Sequence, residues 1–276
     1  MAGQSKSLLN RLERDFPEGL LADTAWFGAR GYSRQLLNHY VGAGWLEQPA
    51  RGVYRRPRGT LSWQQAVISL QTLLRQPLAV GGQTALDLQG YSHYLSFGQR
   101  EVHLYGPKAL PKWLGELDLD VRFHRHDDKR LFKQKATVRV KPNGTDGVTA
   151  SVTGEGITTM AWGQWNWPLS LSSVERAYLE LLDQVPARVS FDLADKVMES
   201  LANLSPKKLQ QLLVDCRSVK AKRLFFFFAD RHQHVWLKHL DRKAIDFGTG
   251  KRVLAKGGRL EKRYLITVPE ELHAAS

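Results

Sequence analysis

One cysteine, Cys216, in 276 residues leaves no partner for a disulfide and excludes any zinc site built on several thiolates. Long apolar runs are missing too. The longest, residues 224–229, has six residues where a membrane helix needs roughly 20, so a spanning segment is not expected. The opening residues Met1-Ala2-Gly3-Gln4-Ser5-Lys6 lack the basic flank, apolar stretch and small-residue site of a secretory signal, which points to the cytoplasm. Acidic residues are in short supply: 27 Asp and Glu face 40 Lys and Arg, a formal charge of +13. What is present suffices for a core, with 42% apolar residues and 10% aromatics. The length suggests two domains, here expected at residues 1–95 and 96–276.

A basic chain favours polyanionic partners, and the distribution of charge sharpens that expectation. Residues 1–60 carry +4 and residues 100–142 carry +5, whereas residues 143–204 carry −5. The excess then rises to +11 within residues 205–263. A single charge run is usually a solvated face, but so large an excess in one segment invites a ligand.

In the first sixty residues the apolar spacing predicts helices over 7–16 and 20–29 and a third beginning after Ser33. Ser33 is a candidate N-cap. Leu36, Leu37, Tyr40 and Val41 fall on one face of that third helix, leaving Arg34, Gln35, Asn38 and His39 on the other. Two strands, 45–47 and 53–56, are expected around the turn-rich segment 48–52, with Pro57 as the stop. Three short helices followed by an arginine-bearing hairpin is the order of a winged helix-turn-helix. In that fold the third helix enters the major groove, where Arg reads guanine and Asn or Gln reads adenine, and Ser33 with the helix N-terminus can hold a phosphate. Arg51, Arg55, Arg56 and Arg58 are the expected wing contacts. The alternative is a protein-interaction module whose polar face is merely solvated.

Beyond residue 60, Ser62 and Gln65 form a capping box ahead of an amphipathic helix, and Gly81-Gly82-Gln83 opens a shorter one. From Glu101 the pattern changes to short β segments at 102–105, 119–123, 136–140 and 156–160, predicting a small mixed or antiparallel sheet. Trp162, Trp165 and Trp167 read as core and edge packing. Ser172 and Glu175 are expected to cap a helix at 174–182, followed by helices over 192–204 and from Pro206. Segment 220–229 reads equally as a buried helix or a core strand; the lack of Gly and Pro from 216 to 232 favours helix. The expected fold is thus α+β: an N-terminal winged helix-turn-helix followed by a mixed α/β C-terminal domain with a small sheet and several helices.

Several constellations imitate active sites. His124, His126, Asp127 and Asp128 are metal-ligand types, but Arg125, Lys129 and Arg130 crowd a cation and no second cluster supports them, so a basic loop is expected and no metal. Asp246-Phe247-Gly248 copies a kinase triplet without the other kinase motifs and reads as a turn. Residues 248–252 lack the first glycine and the final Ser or Thr of a P-loop, though their amides beside Lys251 and Arg252 could hold a phosphate. Asp118 and Asp120 lack the Gly-Ser turn of a nucleotidyltransferase, and Cys216 looks like core. No catalytic residue and no cofactor are expected.

Taken together, residues 32–40, Gly44-Trp45-Leu46, Arg51-Gly52-Val53-Tyr54-Arg55-Arg56 and Leu61-Ser62-Trp63-Gln64-Gln65-Ala66 resemble the N-terminal domain of AbiEi-type antitoxins. Val80-Gly81-Gly82-Gln83-Thr84-Ala85-Leu86, His103-Leu104-Tyr105-Gly106-Pro107, Ser173-Val174-Glu175-Arg176-Ala177, Leu204-Ser205-Pro206, Cys216-Arg217-Ser218-Val219-Lys220 and residues 248–252 resemble the longer domain of the same family. The resemblance implies a type IV toxin-antitoxin protein of an abortive-infection system. Such a protein represses its own operon by binding double-stranded operator DNA at inverted repeats, and it counters a nucleotidyltransferase toxin. Charge alone, rather than the resemblance, suggests Lys207, Lys208, Lys220, Lys222, Arg223, Lys251 and Arg252 as contacts to DNA or toxin. Two other readings compete: a winged-helix regulator without a toxin partner, and a metal-dependent nucleic-acid enzyme using His124, His126, Asp127 or Asp128.

Overall fold

The computed structural model describes residues 2–91, 100–140 and 150–273; the domain boundary expected after residue 95 lies outside the described residues. The first unit runs α1 (Ala2–Asp15), β1 (Leu21–Asp23), α2 (Thr24–Gly28), α3 (Arg34–Gly42), β2 (Glu47–Ala50) and β3 (Val53–Arg55). Its three strands form an antiparallel sheet in the order β1-β3-β2. The helix expected over 20–29 is therefore shorter and follows a strand. Leu21–Asp23 pairs with Val53–Arg55, and the Leu21 amide donates to Ser69 Oγ at 2.7 Å, so contacts distant in sequence override local helical spacing. Phe27 anchors the core of this unit, meeting Phe16, Trp26, Tyr32 and Tyr54 edge to face at 5.0–5.6 Å.

Next come α4 (Trp63–Thr72), β4 (Ala79–Val80) and α5 (Gly82–Leu88). The capping box forms as expected: Ser62 N–H donates to Gln65 Oε1 at 2.8 Å and Gln65 N–H to Ser62 Oγ at 3.3 Å. The later elements are β5 (Arg100–Tyr105), β6 (Val121–His126), α6 (Asp128–Leu131), β7 (Thr137–Val140), β8 (Ala150–Thr153), β9 (Ile157–Trp162) and β10 (Trp167–Ser172). Then follow α7 (Val174–Gln184), α8 (Phe191–Ser200), α9 (Pro206–Asp215), α10 (Val219–His232), β11 (Arg259–Glu261), β12 (Ile266–Val268) and α11 (Glu270–His273).

The main sheet has the order β6-β5-β4-β10-β9, with β6/β5 and β4/β10 parallel and the other pairs antiparallel. Its middle strand, β4, comes from the residues that follow the first unit, so 63–91 are woven into the later fold. Buried Gln71 reinforces this by acting like a peptide group: its amide accepts from Ser170 N–H at 2.9 Å and donates to Ser170 O at 2.8 Å. Strands β7 and β8 form one antiparallel pair, β11 and β12 another.

The helical layer centres on α7 and α10. Ala221–Ala229 of α10 is buried on every side, which explains why its sequence shows no amphipathic stripe. Beside it, Arg176 and Glu180 of α7 form a buried pair at 2.9 Å. Glu180 also accepts from Gly82 N–H at 2.9 Å and Ser172 Oγ at 3.0 Å. Burial raises its pKa, opposed by Arg176 and by the Gly82 and Ser172 donors. Gly81 permits this approach, since a Cβ there would lie 2.3 Å from Glu180 Oε2.

Two further expectations are corrected. Ser173, not Ser172, occupies the N-cap position of α7, without a side-chain capping hydrogen bond, and Glu175 is spent on Ser173 Oγ at 2.7 Å and on Ser205 N–H at 3.1 Å, tying α7 to the start of α9. Trp167 is buried, but Trp165 at the tip of the β9–β10 hairpin is 55% exposed, with Arg58 over its ring at 5.3 Å.

Candidate nucleic-acid interface

Ser33 caps α3 by accepting from Leu36 N–H at 3.2 Å. Leu37 and Tyr40 are buried beneath the helix, whereas Ser33, Arg34, Gln35, Asn38 and His39 are all exposed. The helix closes at Gly44, whose φ of +76° turns the chain so that Trp45 and Leu46 N–H both reach Tyr40 O. A hydrogen-bonding face of the width of a helix therefore points outward from a core-anchored scaffold.

The hairpin beside it is tight. Ala50 pairs with Val53, so only Arg51 and Gly52 form the tip, with Gly52 at φ +73°. Gly52 O accepts from Thr24 N–H at 2.9 Å and Thr24 Oγ1 at 3.0 Å, which fixes the tip to the start of α2. Arg51 is exposed there.

The other three arginines depart from the expected wing role, because the protein itself uses them. Arg55 is buried, pairing with Glu47 at 2.6 Å and donating to Gly59 O at 3.0 Å. Arg56 donates to Glu13 O and Phe16 O, both at 3.1 Å, and meets Glu18 at 3.2 Å, so it caps the C-terminal end of α1. Arg58 pairs with Glu18 and lies against Trp165. All three follow the tip along β3 and beyond, where the chain returns to the body of the unit.

The C-terminal cations divide in the same way. Lys220 donates to Asp183 O at 2.5 Å and Val185 O at 2.8 Å, and Lys222 is buried. Arg223, also buried, donates to Phe247 O at 2.8 Å, Gly248 O at 3.1 Å, Gly250 O at 2.7 Å and Leu265 O at 3.3 Å. The Gly-rich loop thus turns carbonyls toward a guanidinium. Its Gly248 and Arg252 amides go to Asp246 Oδ1 at 2.7 Å and Leu265 O at 2.9 Å, so these two are taken from the expected phosphate cradle. Lys207, Lys208, Lys251 and Arg252 are exposed.

The imitation active sites resolve into structure. His124 and His126 lie on strand β6, not in a loop, beside His103 of β5. His103 Nδ1 lies 2.9 Å from His126 Nε2, and Glu101 bridges His124 Nε2 at 3.1 Å and His103 Nε2 at 3.7 Å. Arg188 donates to His124 Nδ1 at 3.2 Å and Gln184 lies 3.4 Å from His126 Nδ1, so the far nitrogens of both rings carry the protons. Burial and cationic neighbours push His103 and His126 down to about 4. The ring nitrogens bond one another, and among the described residues no group of three or more His, Cys, Asp or Glu is arranged to hold a metal ion. Asp118 and Asp120 are exposed, and Asp246 caps its own turn. Burial pushes the Cys216 thiol up to about 12, far from a nucleophile. No described helix is long and apolar enough to cross a membrane.

Residue-by-residue reading missed Arg30. It sits in the turn between α2 and α3, its guanidinium 3.7 Å from the Trp26 ring centre, and burial beside Arg75 lowers its pKa. Its Nη1 also donates to Trp26 O at 3.1 Å, so the protein itself uses this guanidinium as well. Lys256, Arg259 and Lys262 were also passed over individually, although they belong to the +11 segment.

With this geometry in view, two family models match the chain. One, described as a transcriptional regulator, AbiEi antitoxin N-terminal domain, matches residues 5–97. The other, described as a transcriptional regulator, AbiEi antitoxin, type IV TA system, matches residues 99–269. Among solved structures, the RV2827C protein from Mycobacterium tuberculosis shares the fold, with a TM-score of 0.52 at 16% identity over 95% of this chain and 90% of that one. No curated protein matches.

Proposed function

Because the chain belongs to the AbiEi family of transcriptional-regulator antitoxins of type IV toxin-antitoxin systems, we propose that it represses its own operon through the α3 face. In this reading the first unit, within residues 1–95, is a winged helix-turn-helix whose α3 enters the major groove of operator DNA at inverted repeats. Arg34, Gln35, Asn38 and His39 meet base edges, the N-terminus of α3 at Ser33 meets a phosphate, and Arg51 is the contact of the two-residue wing. The observation that carries this is the exposure of five consecutive-turn polar side chains on a helix whose opposite face is locked into an aromatic core. Arg55, Arg56 and Arg58 drop out as DNA contacts.

The second half, from residue 96, is assigned the countering of a nucleotidyltransferase toxin in the cytoplasm. The family description supports an antitoxin role, and co-expression with the neighbouring gene followed by co-purification tests contact. A neighbouring gene that encodes no nucleotidyltransferase would favour the regulator without a toxin.

The DNA reading is tested by footprinting the sequence upstream of the gene and titrating variants onto it. Arg34→Ala with Asn38→Ala should reduce the preference for operator over mixed-sequence duplex by about 1–3 kcal/mol per lost bidentate contact. Arg55→Ala should leave that preference intact and lower the melting temperature instead. Equal operator preference in wild type and the double variant would overturn the reading.

A further inference from the structure

An edge strand leaves N–H and C=O groups open to pairing with another chain, and among the described residues all but one of the edges are guarded against it. Strand β1 has three residues and ends in Asp23, and β2 carries Glu47, Pro49 and a shift of register. On the main sheet, β6 presents Arg122 and Arg125, both exposed. Strand β7 carries Arg139, and its neighbour β8 gives Val152 N–H to Ser170 Oγ at 3.1 Å. Strand β11 is short and charged, with Arg259 and Glu261, while Ile266 of β12 is already bridged by Arg252.

Strand β9, at the other end of the main sheet, has none of these devices. Its six residues, Ile157-Thr158-Thr159-Met160-Ala161-Trp162, include no charge and no proline and pair with β10 in unbroken register. Among the described residues only β10 bonds to the main chain of 158–162, so alternate N–H and C=O groups along the outer side are open. Thr158, Thr159 and Ala161 are exposed, and their small side chains leave room for another strand at about 4.8 Å.

We infer that β9 pairs antiparallel with β9 of a second copy of this chain, joining two five-stranded sheets into one across a two-fold axis. Charge selects that occupant. Each copy carries +13, so two of them repel over most of their surfaces, but β9 lies within residues 143–204, which carry −5. The uncharged edge has no complement for a strongly acidic or basic partner, and a copy supplies an identical uncharged edge. Residues opposed in an antiparallel pair are both hydrogen-bonded or both non-bonded, which puts the axis at Thr159 or Met160 and pairs five residues of each copy. Thr159 then faces its own counterpart directly or one diagonal step away. So short a seam gives a weak dimer, with a dissociation constant in the micromolar range. The dimer rests on the strand edge and not on the DNA reading; where both hold, two α3 faces are related by the symmetry of an inverted repeat.

Sedimentation equilibrium of the full chain over a concentration series tests the pairing without DNA. Wild type should pass from monomer to dimer in the micromolar range. Thr159→Lys and Thr159→Glu, which alter an exposed side chain, should each weaken dimerisation about fivefold, since like charges meet across the seam. An equimolar mixture of the two variants should restore association to wild-type strength or beyond, because opposite charges then face one another. Hydrogen exchange gives a readout that needs no variant: alternate amides of 158–162 should slow as wild type is concentrated into the dimeric range. A wild type that stays monomeric into the millimolar range overturns the pairing. So does a dimer whose 158–162 amides exchange as fast as in the monomer, or one that both variants keep at wild-type strength. A monomeric chain that captures the product of a neighbouring gene, and loses it in Thr159→Lys, assigns the edge to that protein and also overturns the dimer. Failure of the DNA reading shows elsewhere: operator preference kept by the Arg34/Asn38 variant sinks the α3 assignment and leaves the sedimentation result untouched.

Discussion

The α3 face and the Glu180 hub are both rich in polar groups, yet they are built on opposite terms. On α3, Arg34, Gln35, Asn38 and His39 are exposed, and among the described residues they make no ion pair. Around Glu180, each carboxylate oxygen has protein donors: Arg176 Nε at 2.9 Å and Ser172 Oγ at 3.0 Å on one, Gly82 N–H at 2.9 Å on the other. A polar group buried with partners maintains the fold, and one held outward without partners is free for a ligand. The same partition sorts the arginines after the hairpin tip, where position on the hairpin gave too much weight to Arg55, and the cations of α10, where charge alone gave too much to Lys222 and Arg223.

The largest expected effect breaks the hub. Glu180→Ala strands the Arg176 guanidinium, 1% exposed, without its counter-charge and leaves Gly82 N–H unpaired. Losing one member of a buried pair costs about 3–5 kcal/mol, so denaturant unfolding should shift by that amount. Any molecules that still fold should retain operator preference. A change in preference at unchanged stability would blur the distinction drawn between the two regions.

A smaller effect comes from acid. The imidazoles of His103 and His126 face Glu101, His124, Arg188, Gln184, Asp183 and Tyr105, and their pKa values of about 4 lie below the free value of 6.5. In this window the unfolded chain binds more protons than the folded one, so the stability their neutral forms contribute is full above pH 6.5 and is lost as pH falls toward 4. The unfolding free energy should drop by roughly 2–3 kcal/mol in total by pH 4.5, after allowance for the partly open side of His126. His126→Gln should flatten the profile. A wild-type profile already flat between pH 6.5 and 4.5 would show that the ring stack carries no linked protons.

Much of this was legible locally. Caps at Ser33 and Ser62 and Pro206 at the start of α9 follow from backbone rules acting over a few residues, whereas 220–229, which read equally as helix or strand, is a helix whose full burial removes any periodic signal. The mixed α/β character was legible too, and so was the family. What escaped were elements stabilised from afar. β1 exists because β3 and Ser69 reach it, β4 has two residues and depends on β5 and β10, and β11 and β12 are three residues each. On the α3 face, exposure followed from helical periodicity. For Arg55, Arg56 and Arg223 no periodicity could reveal that backbone carbonyls and Glu47 or Glu18 would take up the guanidinium, because those partners are fixed only when the chain has folded.

The smallest effect tests the boundary between the two regions, because Ser33 belongs to both. Its hydroxyl caps α3 by accepting from Leu36 N–H, and it stands on the exposed side where a phosphate would lie. Ser33→Ala removes the cap and should cost about 1 kcal/mol of stability, along with a modest loss of DNA affinity. Ser33→Asp separates the roles. A carboxylate caps as well as a hydroxyl and suits the positive end of the helix, so stability should equal or exceed that of wild type. Toward a phosphate, however, the same negative charge is repulsive, and affinity for operator and mixed-sequence duplex should fall together. If Ser33→Asp bound duplex as tightly as wild type, the N-terminus of α3 would have no phosphate against it, and contact would have to run through the side chains of Arg34, Gln35, Asn38 and His39 alone.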